Sequence, residues 1–452
     1  MPRQVIIIGA GLVGSLLSIY LRRRGYPVTL YERRPDMRLQ SMSAGRSINL
    51  ALSDRGILAL KEVGIMPEIR KIAIPMHGRQ VHTPDGKENY QPYGKEGQFI
   101  NSVSRGELNK KLMDLAEQAG ADIHFNERCD KIDWKNRTIV FENTQNGKHQ
   151  EQSFELLFGS DGAFSSARLS YQLQQDRFQY QQHYIDFGYK ELTIPAGPGG
   201  SWQMEKEALH IWPRGNYMLI ALPNPDGSFT CTLFFPYEGE PSFRSLDTPE
   251  KAADFFRNTF ADAYALMPDF KEEFVTNPTA SLVTVKCKPW ILGDYFALIG
   301  DAAHAIVPFF GQGMNCGFED CRILNGLIDT HREDWAKILP AYEQLRKPDG
   351  DAIADLALNN FIEMRDKVND PVFLLQKKIE AAVSLHHPGK WTPAYAQVTF
   401  SPHIRYSEAL ANGLRQQAIM DRIMVRPDIE KEWDSEEIRR LILHEAEKQL
   451  TK

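Results

Sequence analysis

The run Val5-Ile6-Ile7-Ile8, followed at once by Gly9-Ala10-Gly11-Leu12-Val13-Gly14, leaves a chain few choices of fold. Four consecutive apolar residues, mostly isoleucine, predict a parallel strand covered on both faces. Gly9 permits a tight turn, Gly11 lets a pyrophosphate approach the backbone, and Gly14 lets the next helix pack on the strand. The first N–H groups of that helix then face phosphate. The helix closes with Leu21-Arg22-Arg23-Arg24-Gly25, cations at the negative end of its dipole and a glycine for a left-handed cap. A glycine turn alone is weak evidence. The next strand, Val28-Thr29-Leu30-Tyr31, ends in Glu32, which can accept hydrogen bonds from ribose hydroxyls and would repel a 2′-phosphate. The site fits the adenosine of FAD or NAD.

At 452 residues the chain exceeds one ordinary core, so two or three domains are expected. A net charge of −6 with both signs interspersed gives no basic stripe, which excludes nucleic acid as a partner. The five cysteines, Cys129, Cys231, Cys287, Cys316 and Cys321, form no CxxC pair and no metal spacing, as suits a reducing compartment. No metal is expected. The N-terminus lacks a signal pattern, and no stretch is long enough to cross a bilayer. The charged end, 431–452, carries Ile438, Leu441, Ile442 and Ala446 at helical spacing and predicts an amphipathic helix.

Along the chain, Ser53 or Asp54 can cap a helix from Arg55 to Val63. Alternation begins at Pro75, and Thr83-Pro84-Asp85-Gly86 predicts a hairpin that brings Arg79 close to Tyr90–Tyr93. A cation and a phenol there could receive a carboxylate or form a plain cross-strand contact. A helix from Glu107 to Ala119 and the strand Leu156–Gly159, ending in Asp161-Gly162, return the chain to the nucleotide domain. Short aromatic and β-branched strands between 179 and 290 predict an antiparallel sheet with one helix near Pro249–Tyr264. An apolar strand then runs into Gly300-Asp301, and Gly311-Gln312-Gly313 opens a helix whose free N–H groups would face a ligand. The rest is mostly helical, with Val398–Ser401 and Ile404–Tyr406 expected in a loop or short turn.

Three separated motifs, the glycine turn with Glu32, Asp161-Gly162 and Gly300-Asp301, resemble the fingerprints of the single-component, FAD-dependent aromatic hydroxylases. Longer stretches narrow the resemblance: 45–53, His210-Ile211-Trp212-Pro213-Arg214, Gly300–Asn315 and Asn360–Arg365 are similar to the kynurenine 3-monooxygenase family over nearly the whole chain. The resemblance implies an α/β fold: a Rossmann-like FAD domain (1–74, 104–178 and 291–345), an inserted antiparallel β-sheet substrate domain (75–103 and 179–290), and a C-terminal helical region (346–452) over the active site. It implies hydroxylation of L-kynurenine to 3-hydroxy-L-kynurenine through a flavin C4a-hydroperoxide. FAD would be bound, NADPH would be a transient co-substrate without a domain of its own, and O2 the oxidant. That chemistry belongs to tryptophan catabolism and pyridine nucleotide biosynthesis.

By the same resemblance, Gly9, Gly11, Val13, Gly14, Glu32, Arg33, Ala51, Arg105, Cys129, Asp301, Gly313, Met314 and Asn315 line the cofactor, Cys129 through its backbone. Arg79, Tyr93, Asn360 and Tyr406 fall at substrate positions, with Glu363 beside the polar groups and Phe309, Phe310 and Met364 walling the ring. No acid or base is assigned, because an aniline already feeds electron density into its ring; His304 is expected to pack near the cofactor. Mitochondrial members carry a hydrophobic C-terminal anchor, whereas this chain ends in a charged helix. That points to a soluble, cytoplasmic, bacterial-type enzyme without a membrane anchor, and leaves a homodimer open. The rival readings are a flavin hydroxylase of another aromatic acid and a non-catalytic protein that keeps the fold.

Overall fold

Val5–Ile8 is the strand the sequence predicts, buried throughout, with Val5 beside Val28 on one side and Leu156 on the other. The computed structural model describes residues 2–39, 48–93, 97–366, 370–387 and 389–450, without the side chains of 364–366, 449 and 450. Six strands make the sheet around Val5–Ile8, in the order Ile291–Leu292, Phe296–Leu298, Leu156–Gly159, Val5–Ile8, Val28–Glu32, Asp122–Phe125. All pairs are parallel except the first. Helix Leu12–Arg23 packs on it, burying Leu16, Leu17, Ile19 and Leu21, and Gly25 takes the left-handed conformation (φ +84°) after the last turn. Fully buried aliphatic side chains of this kind contribute about 1.5–3 kcal/mol each.

A second sheet of seven strands runs Thr279–Lys288, Gln179–Ile194, Phe229–Pro236, Tyr217–Pro223, Ala208–Arg214, Gly78–His82, Glu88–Pro92. The last two are the expected hairpin, closed by Thr83 N–H donating to Lys87 O (2.9 Å), with Gly86 at φ +78°. It joins the sheet by a parallel pairing of Gly78–His82 with Ala208–Arg214, a neighbour that no local pattern encodes. Helices cover one face. The single helix expected near 249–264 is broken at Phe260 (φ −130°, ψ 48°) into Pro249–Thr259 and Ala261–Ala265, and a further helix, Phe270–Thr276, follows. Beneath them His82 Nε2 lies 2.9 Å from His210 Nδ1, His82 Nδ1 lies 2.9 Å from Asp262 Oδ2, and Trp212 Nε1 donates to the same carboxylate (2.8 Å).

From Trp335 on, the described chain is helical: Trp335–Asp366, Pro371–His386, Ala394–Phe400, Tyr406–Met424 and Glu436–Leu450 are its longer helices. The expectation of a loop at 398–406 is corrected, because 398–400 complete one helix and Tyr406 begins another. The last helix buries Ile438, Ile442 and Leu443 against Ile379, Val383, Trp391 and Ile419. Among the described residues no helix is long and apolar enough to cross a membrane.

Candidate active site

The three fingerprint loops meet at the ends of the parallel strands. A Cβ on Gly9 (φ +98°) would lie 2.7 Å from Ser160 O, and one on Gly14 would lie 2.0 Å from Gly9 O, so both positions are closed to any side chain. A Cβ on Gly11 would meet nothing within 4 Å: the room left there is outside the protein, where a pyrophosphate would lie. Val13 packs across the turn, its Cγ2 methyl 3.0 Å and 2.5 Å from where side chains would start on Gly300 and Gly317. Glu32 is buried; Oε2 accepts from Ala10 N–H (3.1 Å) and Oε1 from the backbone and guanidinium of Arg34 (3.0 and 2.8 Å). Oε2 keeps acceptor capacity for a ribose hydroxyl. Arg33 is exposed, and its neighbour Arg34 is the residue that meets Glu32.

Asp301 opens the short helix Asp301–His304, half-buried, and its carboxylate has no protein partner among the described residues. Helix Gly313–Thr330 begins at Gln312 without a side-chain cap, so its first N–H groups, at Gly313 and Met314, remain for a ligand, and its dipole favours negative charge there. Asn315 differs from the expectation in how it acts. Its side chain is consumed within the protein, accepting from Ser53 N–H (2.9 Å) and donating to Ala51 O (2.8 Å) and Gly311 O (2.9 Å), which ties the strand Asn49–Leu52 to the helix start. Cys129 is buried on strand Glu127–Asp133, where burial, with Asp161 adding to it, pushes the thiol above its ordinary value. Arg105 is exposed in the first turn of helix Arg105–Gln118. A cradle too tight for side chains, an unpartnered carboxylate and an uncapped helix start suit a dinucleotide such as FAD.

On the hairpin, the Arg79 guanidinium lies over the rings of Tyr93 (5.2 Å) and Tyr395 (4.6 Å). No carboxylate pairs with Arg79 among the described residues, and the buried Tyr93 hydroxyl has no hydrogen-bond partner. Burial, reinforced by Tyr395 and opposed by Arg79, holds the Tyr93 phenol far above its usual value, so it keeps its proton as a donor. Tyr395 is the residue the sequence reading missed. Tyr406, expected in this place, is instead fully buried with its hydroxyl donating to Gln312 Oε1 (2.9 Å). Tyr395 stacks on Phe310 (5.5 Å), and Phe309 packs against Phe234 (5.0 Å) and Phe361 (4.5 Å). Asn360 Nδ2 donates to Phe309 O (2.7 Å), fixing the turn Pro308–Phe310. Glu363 is half-buried farther along the same helix; the Met364 side chain and residues 45–47 lie outside the described residues.

Behind the helix start is a buried ionic network. Arg346 Nε donates to Asp320 Oδ1 (2.7 Å) and Nη1 to Glu319 Oε2 (2.7 Å), while His304 Nε2 sits 2.6 Å from Asp320 Oδ2, which also accepts from Gly300 N–H (3.1 Å). Burial disfavours charge on His304, but Asp320 and Cys316 more than offset it and hold the imidazole well above its usual value. His304 braces the loop that presents Asp301.

A family model described as "FAD binding domain" matches residues 3–357. Kynurenine 3-monooxygenase of Christiangramia forsetii is 49% identical over 441 residues, 98% of each chain, and that of Myxococcus xanthus is 51% identical over 421 residues, 93% of this chain and 90% of the other. This chain belongs to the kynurenine 3-monooxygenase family. Members of that family are flavoprotein monooxygenases, and this chain is one, with FAD as its cofactor. The aromatic-hydroxylase fold recurs in solved structures too distant to say more than fold. The tetrameric form of 2-methyl-3-hydroxypyridine-5-carboxylic acid oxygenase has a TM-score of 0.69 at 19% identity, covering 89% of this chain and 98% of its own. The tetracycline destructase Tet(51) has a TM-score of 0.59 at 19% identity, covering 84% and 95%.

Proposed function

We propose that this enzyme hydroxylates L-kynurenine at the ring carbon beside its aniline nitrogen. L-Kynurenine, NADPH, a proton and O2 give 3-hydroxy-L-kynurenine, NADP⁺ and water. The observation that carries the substrate is Arg79: a guanidinium with no acidic partner among the described residues, set against the stacked rings of Tyr93 and Tyr395, with the Tyr93 hydroxyl buried and making no hydrogen bond within the protein. Such a trio receives the carboxylate of an amino acid, and a charge-assisted hydrogen bond fixes its direction. The family relatives, named for kynurenine, support the same reading.

When bound, FAD supplies the redox chemistry, taking electrons from NADPH and activating O2. The chain supplies position and environment. Gly9 and Gly14 shape the turn and Gly11 would admit the pyrophosphate, Glu32 and Asp301 would accept from the ribose and ribityl hydroxyls, and the N–H groups at Gly313 and Met314 would stabilise negative charge on the flavin ring. Arg79, Tyr93 and Tyr395 hold the carboxylate end of the substrate, so that its ring is directed toward Phe309 and Phe310, which exclude water. Asn360 keeps that wall in place through Phe309 O. The electron-rich aniline needs no base, and His304, committed to Asp320, supplies none. We assign the enzyme to the cytoplasm, since its five cysteines are all free and buried, which suits a reducing compartment.

The test is product analysis with NADPH in air, comparing L-kynurenine with 4-hydroxybenzoate and anthranilate and counting peroxide. Stoichiometric 3-hydroxykynurenine is expected. NADPH consumed with only peroxide formed would make kynurenine the wrong substrate.

A further inference from the structure

Arg55 is 1% exposed and lies outside every fingerprint. It stands in the first turn of helix Asp54–Glu62, directly after the strand that Asn315 ties to the cofactor loop. Its guanidinium reaches across to the C-terminal region. Nε donates to Val398 O (2.8 Å), and Nη2 to Gln397 O (3.3 Å), Ser401 O (3.4 Å) and Ile404 O. Nη1 donates to Glu319 Oε1 (2.8 Å), and the guanidinium plane covers the Tyr406 ring at 4.0 Å. Gln397 and Val398 are in the last turn of helix Ala394–Phe400, where carbonyls have no partner within the helix and the dipole is negative. Arg55 is the cation that closes that end.

Tyr395 sits at the other end of the same short helix, over Arg79 and against Phe310. We propose that Arg55 is a positioning residue for the substrate site: by gripping the carbonyls of 397–404 it sets where Tyr395 stands relative to Arg79 and the cofactor loop. The inference rests on the reading of Arg79 and Tyr395 as the carboxylate receptor. An arginine suits the task because its planar fork of five donors spans several carbonyls at once, whereas a lysine is a point charge. Glu319 keeps Arg346 as a second partner, so replacing Arg55 leaves no unpaired carboxylate behind.

The experiment is a double-mutant cycle on substrate binding to the FAD-loaded enzyme, titrating L-kynurenine against the flavin absorbance without NADPH, so that turnover plays no part. Arg55→Lys is expected to retain FAD and weaken kynurenine binding about tenfold. Tyr395→Phe should weaken the parent enzyme several-fold and the Arg55→Lys enzyme less than about twofold, because Tyr395 is already displaced there. Kynurenine affinity unchanged by Arg55→Lys, or the same loss from Tyr395→Phe in both backgrounds, would overturn the proposal; a purely structural arginine gives the second pattern. Should Arg55→Lys fail to fold, amide exchange on the unaltered holoenzyme decides. Kynurenine should slow exchange across 394–404 as a unit, and slowing at Tyr395 alone would overturn the proposal. A parent enzyme that binds no kynurenine at all brings down the substrate reading and this inference with it, a result distinct from additive losses.

Discussion

At the scale of single residues, the cofactor loop and the substrate receptor make separable demands. A methyl group on Gly11 touches no protein atom, whereas on Gly14 it would meet Gly9 O at 2.0 Å. Gly11→Ala should therefore fold with the parent's apo-protein melting temperature yet lose FAD affinity, and Gly14→Ala should lose both; thermal melts with and without added FAD separate the two. At the receptor, Arg79→Ala removes a charge-assisted hydrogen bond worth roughly 1.5–3 kcal/mol, so kynurenine should bind about ten- to a hundredfold more weakly while FAD stays. Unchanged affinity in a flavin-absorbance titration would remove Arg79 from the receptor. The glycines, Glu32 and the Arg79–Tyr93 pair were legible because each depends on residues close in sequence. Tyr395 was not, since its partner lies on a hairpin hundreds of positions away and Tyr406 held that role in the sequence reading. Arg55 was hidden for another reason: its acceptors are mostly backbone carbonyls, which leave no trace in side-chain identity.

Among elements, the seven-stranded sheet sets a buried histidine pair at the strand that carries Arg79. Arg79 and His82 are on one strand, and His82 meets His210 on its parallel neighbour. Burial, more than the nearby His82, lowers the His210 imidazole to about 4, against an ordinary value of about 6.5. The folded state thus prefers His210 neutral. Its contribution is complete above about pH 6.5 and is lost as the pH falls toward 4, a loss of about 3 kcal/mol. His210→Gln, neutral throughout, should show a flatter decline of urea midpoints over that window, although its stability at pH 7 will be lower. Alternating residues announced these strands and the Thr83–Gly86 turn announced the hairpin. The parallel pairing that holds the hairpin in place could not be read, because register between distant strands is set by the assembled core and not by either strand alone.

For the whole molecule, the C-terminal helices form their own small core, with Trp391, four residues before Tyr395, buried together with Ile379, Ile438 and Ile442. Ile442→Ala should cost about 2–5 kcal/mol there, so far-UV dichroism should begin to melt at lower temperature while flavin release, followed by fluorescence, stays where it was. Coincident shifts would mean that this core and the cofactor domain unfold as one. The order of the six-stranded sheet has its own consequence, for synthesis. Val5–Ile8 and Leu156–Gly159 leave the ribosome early, but the strand that flanks them, Phe296–Leu298, arrives only after the whole second sheet has been made. Until then a nascent chain carries an open, apolar strand edge, the kind of surface that recruits chaperones or pairs with the wrong neighbour. Gly300, Asp301 and the start of helix Gly313–Thr330 come later still. On the proposed role of Asp301 and that helix start as flavin contacts, loading of the flavin waits for them, and a message truncated before that point would yield a protein with an intact glycine turn but without those contacts.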